Sequence, residues 1–150
     1  MPSLRRVDVA VICVMAEPSA IDGWEPKVAE GRHLRTAADE VLIVAAVDAR
    51  EAIRMEAQNA VAAQDADALV ADVTDGWTAW ELDGDDARSQ FARLTALDLP
   101  AEGWVQGDVA RVAAKVLAET GRILILVPSF WSDHVRNRIL VDTRASEVSP

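Results

Sequence analysis

The apolar residues of this chain fall into short runs of strand length, separated by residues that favour turns. The runs Val7–Val14, Val41–Val47 and Ile123–Val127 are rich in β-branched residues, and each predicts a strand. Ile123–Val127 is the strongest candidate for a buried strand. No run approaches the ~18 consecutive apolar residues of a membrane-spanning helix, so we expect a soluble, cytoplasmic protein with no membrane partner.

Helical patterns alternate with these strands. The alanine-rich segment Ala49–Ala63 contains neither Gly nor Pro, and Asp48 precedes it as a candidate N-cap. A second amphipathic helix is predicted over Ala87–Leu94. The last predicted helix is Ser132–Leu140, with Ser132 as its cap.

The remaining segments predict connections. Glu17–Ala37 contains several Gly and Pro residues and predicts a loop with at most a short helix near Lys27–Glu30. Ala68–Val73 and Trp77–Leu82 are joined through an Asp-Gly pair, which predicts a hairpin. Leu97–Trp104 is predicted as a connector. The periodicity of Val109–Ala118 fits a strand and a helix equally well, so periodicity alone leaves this segment open.

The order of these elements predicts a single α+β domain over residues 1–150, with helices on one face of a mainly antiparallel sheet. Residues 142–150 are predicted to be a frayed tail. Lys and Arg number 15 against 25 Asp and Glu, and the net charge of −10 repels phosphate backbones, so we expect no nucleic-acid partner. The single cysteine, Cys13, excludes an internal disulfide and any cysteine-rich metal site.

Several short motifs follow one another in a single register. The segments ADVTDG (71–76), ELDGDDAR (81–88) and LTALDL (94–99) precede Gly107. They resemble the D-V-S-x-G, L-x-G-x-D-A, L-x-x-x-D-L and G skeleton of the folate-binding aminomethyltransferase superfamily. Within that superfamily, this sequence resembles the gamma subunits of heterotetrameric sarcosine oxidase and related N-methyl amino acid oxidoreductases more than the other members. Asp39–Val44 and Val127–Phe130 stand where that family has D-E-W-L-L-V and V-P-R-S-F, although Val41 replaces the tryptophan and the arginine is missing.

The resemblance implies the aminomethyltransferase-like folate-binding fold, in which Val109–Ala118 is a strand paired with Ile123–Val127. It also implies a non-catalytic accessory subunit of a multi-subunit flavin-dependent amine oxidoreductase, which oxidatively demethylates a secondary amine such as sarcosine. This chain would hold no cofactor. Flavin, NAD, tetrahydrofolate and zinc would belong to the partner subunits.

The resemblance also supplies one candidate catalytic residue. Asp98 matches the aspartate of an Asn-Asp pair that lies by the one-carbon unit in the folate-dependent transferases, but Leu97 stands where they have the asparagine. In those longer enzymes, residues from later domains complete the folate cavity. The alternative role of Asp98 is to bind backbone groups after the preceding helix.

The tryptophans suggest a partner surface. The chain has five Trp and no Tyr, and several of the Trp fall in predicted loops or on opposite faces of one strand. Pro128 disfavours continuation of the last strand, which predicts that at least one of the two following aromatic side chains is exposed. We therefore predict an interface that includes Trp77, Trp80, Trp104, Phe130 and Trp131, with ordinary core packing as the alternative.

Other candidate sites are weaker. Ser129, Asp133 and His134 are crowded within six positions and lack the strand–turn–helix context of a hydrolase nucleophile. His33 is predicted to be an exposed loop residue without metal-ligand neighbours. Two other function classes stay open: a stand-alone folate-binding one-carbon protein, and a regulatory α+β module that dimerises and binds a small ligand.

Overall fold

A computed structural model describes residues 2–27 and 31–147, with side chains described up to residue 142. Contacts divide the chain into two compact units. We call residues 8–75 the inserted unit, and residues 1–7 together with 76–150 the split unit. The prediction of a single domain over residues 1–150 stays a prediction.

The described residues form nine strands and four α-helices. The strands are β1 (Ser3–Val7), β2 (Ala10–Met15), β3 (Arg32–Ala37), β4 (Glu40–Ala45), β5 (Leu69–Asp72), β6 (Trp77–Asp83), β7 (Gly103–Val109), β8 (Val112–Glu119) and β9 (Arg122–Pro128). The helices are α1 (Pro18–Asp22), α2 (Arg50–Ala62), α3 (Ala87–Phe91) and α4 (Ser132–Glu147). Short 3-10 turns cover Val47–Ala49, Thr74–Gly76 and Ser129–Trp131.

The inserted unit has one antiparallel sheet in the order β3-β4-β2-β5. Its element sequence β-α-β-β-α-β is the split βαβ arrangement. The core is formed by Ile12 and Val14 of β2, alternate residues of β4, and one stripe of α2. That stripe consists of Ile53, Ala57 and Val61, which are spaced four residues apart and therefore share one helix face.

The split unit has an antiparallel sheet in the order β1-β6-β9-β8-β7. Side chains from β6, β7, β8 and β9 form its core together with α3, the turn after α3, and α4. This cluster is Trp80, Leu82, Ala87, Phe91, Leu94, Val109, Val112, Ala114, Val116, Ile123, Ile125, Val127, Val135 and Ile139. The predicted strand Ile123–Val127 is confirmed as the middle of β9, and all but Leu124 of its five residues are buried.

The α+β class with antiparallel pairing is confirmed, but the prediction of one sheet is wrong, because the strands form two sheets. The apolar run Val7–Val14 supplies two strands, since β1 pairs with β6 while β2 pairs with β4 and β5. Asp8 marks the break between them. A continuous apolar run does not reveal that its two ends belong to different sheets.

The predicted hairpin over Ala68–Val73 and Trp77–Leu82 is also wrong. β5 pairs with β2, and β6 pairs with β1 and β9. The Asp-Gly pair lies in the 3-10 turn Thr74–Gly76, where the Asp72 carboxylate accepts hydrogen bonds from the backbone N–H and hydroxyl of Thr74, at 3.0 and 2.6 Å. The chain therefore leaves one sheet at this turn and enters the other.

Two further predictions are corrected, and a third falls largely outside the described residues. Glu17–Ala37 is not a loop, because Pro18 starts α1 at a position where proline is tolerated and β3 follows. The helix predicted near Lys27–Glu30 lies mostly outside the described residues. Asp48 lies in a 3-10 turn and forms no cap, and α2 begins after Ala49.

The predicted connector Leu97–Trp104 and the predicted tail at residues 142–150 also differ from the structure. β7 begins at Gly103, so Trp104 is a strand residue and not part of the connector. The predicted frayed tail is helical as far as Glu147, where Arg, Ala and Glu favour continuation of α4, and residues 148–150 lie outside the described part of the chain. No helix within residues 2–27 and 31–147 is long and apolar enough to cross a membrane.

Candidate functional site

Two large aromatic side chains lie at the surface where β9 gives way to α4. β9 ends at Pro128, which pairs with Trp77, and the 3-10 turn Ser129–Trp131 follows. Phe130 is 80% exposed and Trp131 is 45% exposed. The prediction that at least one of them is exposed is confirmed.

These rings form a small group with the first turn of α4. The centroids of Phe130 and Trp131 are 5.4 Å apart and tilted by 47°, and those of Trp131 and His134 are 5.8 Å apart in an edge-on arrangement. Both separations lie within the range of favourable aromatic pairs. We call Phe130, Trp131 and His134 the aromatic edge.

The backbone beneath the aromatic edge is held by hydrogen bonds to β6. The hydroxyls of Ser129 and Thr78 are 3.2 Å apart, and the indole N–H of Trp80 donates to the hydroxyl of Ser132 at 3.2 Å. The 3-10 turn is therefore tied to the sheet at its first residue and just after its last. Exposed side chains on a fixed backbone lose less conformational freedom when a partner binds.

A second support comes from the β7–β8 turn. Nε2 of His134 lies 3.0 Å from the carbonyl oxygen of Ala110, so this nitrogen carries the proton and donates it. The N–H of Ala110 in turn donates to the carbonyl oxygen of Leu94 at 2.8 Å. The carbonyl group of Ala110 therefore holds the imidazole ring of His134, the third ring of the aromatic edge, in place.

The other tryptophans occupy different environments. Trp80 is 8% exposed and belongs to the core of the split unit, so we do not carry it into an interface. Trp77 and Trp104 are half-buried. They lie on β6 and β7, which are three positions apart in the sheet order, so the two strands are about 14 Å apart at the usual strand spacing. Of the five predicted residues, Phe130 and Trp131 are the pair whose rings are found in contact among the described residues.

Asp98 lies in the loop between α3 and β7, and its side chain is exposed. Its carboxylate makes no hydrogen bond or ion pair with any described residue. The backbone-binding role that we considered for Asp98 is filled by Thr95, whose hydroxyl donates to the carbonyl oxygen of Asp108 at 2.6 Å and accepts from the N–H of Leu97 at 3.1 Å. The sequence analysis missed Thr95.

His33 is not an exposed loop residue, because it lies in β3 and is half-buried, with its ring 5.0 Å from that of Trp24 in an edge-on contact. Burial lowers the pKa of His33, and the negative charge of Glu56 opposes that effect more weakly. Among the described residues, no group of three or more His, Cys, Asp or Glu side chains is arranged to hold a metal ion.

Comparison with known proteins rests on the fold. No protein-family model matches the chain, and no curated protein matches its sequence. The fold is similar to that of a chain in the heterotetrameric sarcosine oxidase from Corynebacterium sp. U-96, with a TM-score of 0.80 and 14% sequence identity. The match covers 99% of this chain and 87% of that chain.

A second solved structure is the glycine cleavage system aminomethyltransferase T from Bartonella henselae. Its TM-score is 0.68 at 13% identity, and the match covers 95% of this chain. It covers 46% of that chain, so this protein spans less than half the length of the transferase. Because identities are this low, the two similarities show the fold alone, and they confirm the predicted aminomethyltransferase-like architecture.

Proposed function

We propose that this chain is a non-catalytic accessory subunit of a multi-subunit, flavin-dependent amine oxidoreductase that oxidatively demethylates a secondary amine such as sarcosine. The observation that carries the proposal is the similarity to a chain of heterotetrameric sarcosine oxidase, which extends over 99% of this chain and 87% of the other. Flavin, NAD, tetrahydrofolate and zinc are then held by the partner subunits.

The aromatic edge supports association with such partners. Trp and Phe are large apolar side chains, and tryptophan is enriched among the residues that dominate binding energy at protein interfaces. Phe130 is 80% exposed although it is one of only two phenylalanines in the chain. We assign this group to the contact with a flavin-containing subunit.

The surroundings of Asp98 support an accessory role over catalysis by this chain. Its carboxylate is exposed and forms no hydrogen bond or ion pair with a described residue, while Leu97 packs against the core of the split unit. A general acid or base needs a partner or substrate within about 3 Å. The transferase with this fold is also more than twice as long as the matched region.

The proposal is tested by co-expressing the full chain with candidate flavin-containing subunits of the proposed complex. We expect a stable complex. Trp131→Ala combined with Phe130→Ala should weaken association by about 2 kcal/mol, roughly 30-fold, while thermal unfolding of the isolated chain stays near wild type. Val141→Ala, which truncates another exposed apolar residue on α4, is the matched control and should bind normally.

The outcomes separate the two parts of the proposal. If the double variant unfolds at a much lower temperature, the rings belong to the core and the assignment of the interface is wrong. If it folds and still binds like wild type, the partner uses another surface. If the wild-type chain is a stable monomer that associates with no flavin subunit, the accessory function itself is wrong.

A further inference from the structure

The turn between β7 and β8 adopts a conformation that its residues disfavour. Val109 pairs with Val112, so Ala110 and Arg111 form a two-residue hairpin loop, with φ angles of 50° and 68°. Loops of this kind, with both φ angles positive, favour Asn-Gly because a Cβ is disfavoured in the left-handed region.

The next hairpin of the same sheet provides the comparison. Its loop is Thr120-Gly121, and Gly121 has a φ of 73°. Arg111 therefore occupies the loop position that glycine fills one hairpin later. A side chain at a position suited to glycine points to a role for that side chain.

Arg111 lines a cavity of about 360 Å³ in the split unit. The cavity is bordered by three elements: the end of the α3 region, the β7–β8 turn and α4. Its lining residues are Arg93, Leu94, Ala110, Arg111, His134 and Arg138. This volume lies within the range of small-molecule sites.

The charge of this cavity opposes that of the whole chain. Three arginines and one histidine line it, with no Asp or Glu, in a protein with a net charge of −10. Guanidinium groups remain protonated at all ordinary pH values, so the arginine side chains bring positive charge to this cavity. Among side chains that the structure describes, Arg111 and Arg138 have neither an ion pair nor a hydrogen-bond partner.

The cavity is also rigidly framed. The backbone of Ala110 donates to Leu94 and accepts from His134, at 2.8 and 3.0 Å, so the turn that carries Arg111 is fixed on both sides. Leu94 is buried and contributes an apolar wall. His134 and Arg138 are one turn apart on α4 and face the same side of the helix.

We propose that this cavity binds the oxyanion group of a small molecule, a phosphate or a carboxylate, through the guanidiniums of Arg111 and Arg138. Arginine matches both groups because its planar fork can donate two parallel hydrogen bonds to them. The proposal rests on the residues of this chain and is independent of the accessory role proposed above.

The test is titration of the full chain with inorganic phosphate and, separately, with succinate, followed by calorimetry and by backbone amide shifts of residues 110 and 111. At least one anion should bind saturably in the millimolar range or tighter. Arg111→Gly should weaken that binding about tenfold while the melting temperature stays equal or rises, because glycine relieves the positive φ. Arg138→Ala should weaken binding similarly.

Arg136→Ala is the matched control, because Arg136 is exposed on the same helix and does not line the cavity. It should bind the anion like wild type. The relative affinities of phosphate and succinate identify the oxyanion. The proposal is overturned if neither anion binds, or if Arg111→Gly and Arg138→Ala bind as tightly as Arg136→Ala. It is equally overturned if no free anion binds but Arg111→Gly loses association with the partner subunits, because the cavity then receives an acidic side chain of a partner.

Discussion

The indole N–H of Trp80 donates a hydrogen bond to the hydroxyl of Ser132, across 3.2 Å. Trp80 lies at the centre of β6 and Ser132 is the first residue of α4, so this bond joins the sheet to the start of the last helix. Ser132 was predicted to cap that helix. Its hydroxyl instead satisfies a buried donor that would otherwise have no partner.

We expect Ser132→Ala to lower the free energy of unfolding by about 1–3 kcal/mol, because it leaves the buried indole N–H of Trp80 unpaired. Trp80→Phe removes the donor at the cost of some packing. In the double variant, the loss of Ser132 should matter less than in the single variant, since no unpaired donor remains. Urea unfolding of all four proteins measures the coupling, and strictly additive effects would show that the bond contributes nothing.

A second prediction concerns a buried carboxylate. Glu81 has a side chain only 5% exposed, and it accepts from Nε of Arg5 at 2.7 Å, with the guanidinium of Arg122 3.6 Å away. Arg5→Ala should destabilise the fold by about 1–3 kcal/mol, because the carboxylate stays buried with one weaker partner. Arg54→Ala is the control: its partner Glu51 is 67% exposed, so stability should stay near wild type. Equal effects of the two variants would contradict this view of Glu81.

The stability of the inserted unit should depend on the charge of His33. Burial lowers the pKa of His33 below its ordinary value of about 6.5, so the unfolded chain takes up the proton at a higher pH than the folded chain. Well above pH 6.5 the imidazole of His33 is neutral in both the folded and the unfolded chain, so it does not change the free energy of unfolding. As the pH falls from 6.5 through the folded pKa, proton uptake favours the unfolded state and stability is lost.

The measurement is the urea midpoint at pH 7.5 and at pH 5.5, for wild type and for His33→Gln. Carboxylates that do not interact with His33 contribute equally to both proteins, so the comparison reports on His33 together with its interaction with Glu56. We expect the drop between the two pH values to be smaller in His33→Gln. A drop of the same size in both proteins would mean that His33 titrates alike in the folded and unfolded states.

The thiol of Cys13 should react slowly in the folded protein. Burial raises the pKa of Cys13, and the negative charge of Glu40 raises it further, so the reactive thiolate is scarce at pH 8. Alkylation by iodoacetamide should be slower than that of free cysteine, and urea should restore the ordinary rate. Glu40→Gln should accelerate the folded reaction. Alkylation of the folded wild type as fast as in urea would show that neither burial nor charge protects the thiol.

Asp98 and Thr95 lie in the same loop, so their alanine variants can be compared directly. Asp98→Ala should leave the melting temperature unchanged, because its exposed carboxylate has no described partner. Thr95→Ala should lower the free energy of unfolding by about 1 kcal/mol, since its hydroxyl binds backbone groups of Asp108 and Leu97.

The isolated chain should bind no tetrahydrofolate. Micromolar binding that Asp98→Ala abolishes would favour a stand-alone folate-binding protein.

The parts of the fold that were predictable are those set by local patterns. The helix over Ala49–Ala63 and the strand Ile123–Val127 were found because periodicity and apolar runs are properties of neighbouring residues. Strand pairing was not predictable in this way. β5 pairs with β2 and not with β6, which follows it directly, because pairing depends on contacts between residues distant in sequence. Pro128 correctly placed the exposed aromatic pair at a strand end.

The basic cavity could not be found in this way. Arg93, Arg111 and Arg138 come from three separate elements, and no spacing in the sequence links them. The turn at Ala110-Arg111 contains neither Gly nor Asn, so Val109–Ala118 had the pattern of one continuous segment. Arg111 and Lys115 both fit polar positions of that alternating run, so Arg111 gave no sign of a turn.

The position of β1 has a consequence for how the chain is made. Its five residues, Ser3–Val7, form the edge strand beside β6, and the whole inserted unit is synthesised between these two partners. The inserted unit is continuous in sequence, so it can fold on the ribosome before β6 has been synthesised and β1 can pair. Assembly of the split unit then requires closing a long loop, which slows folding. Ribosome-bound chains that end before β6 should therefore hold β1 unpaired and open to proteases.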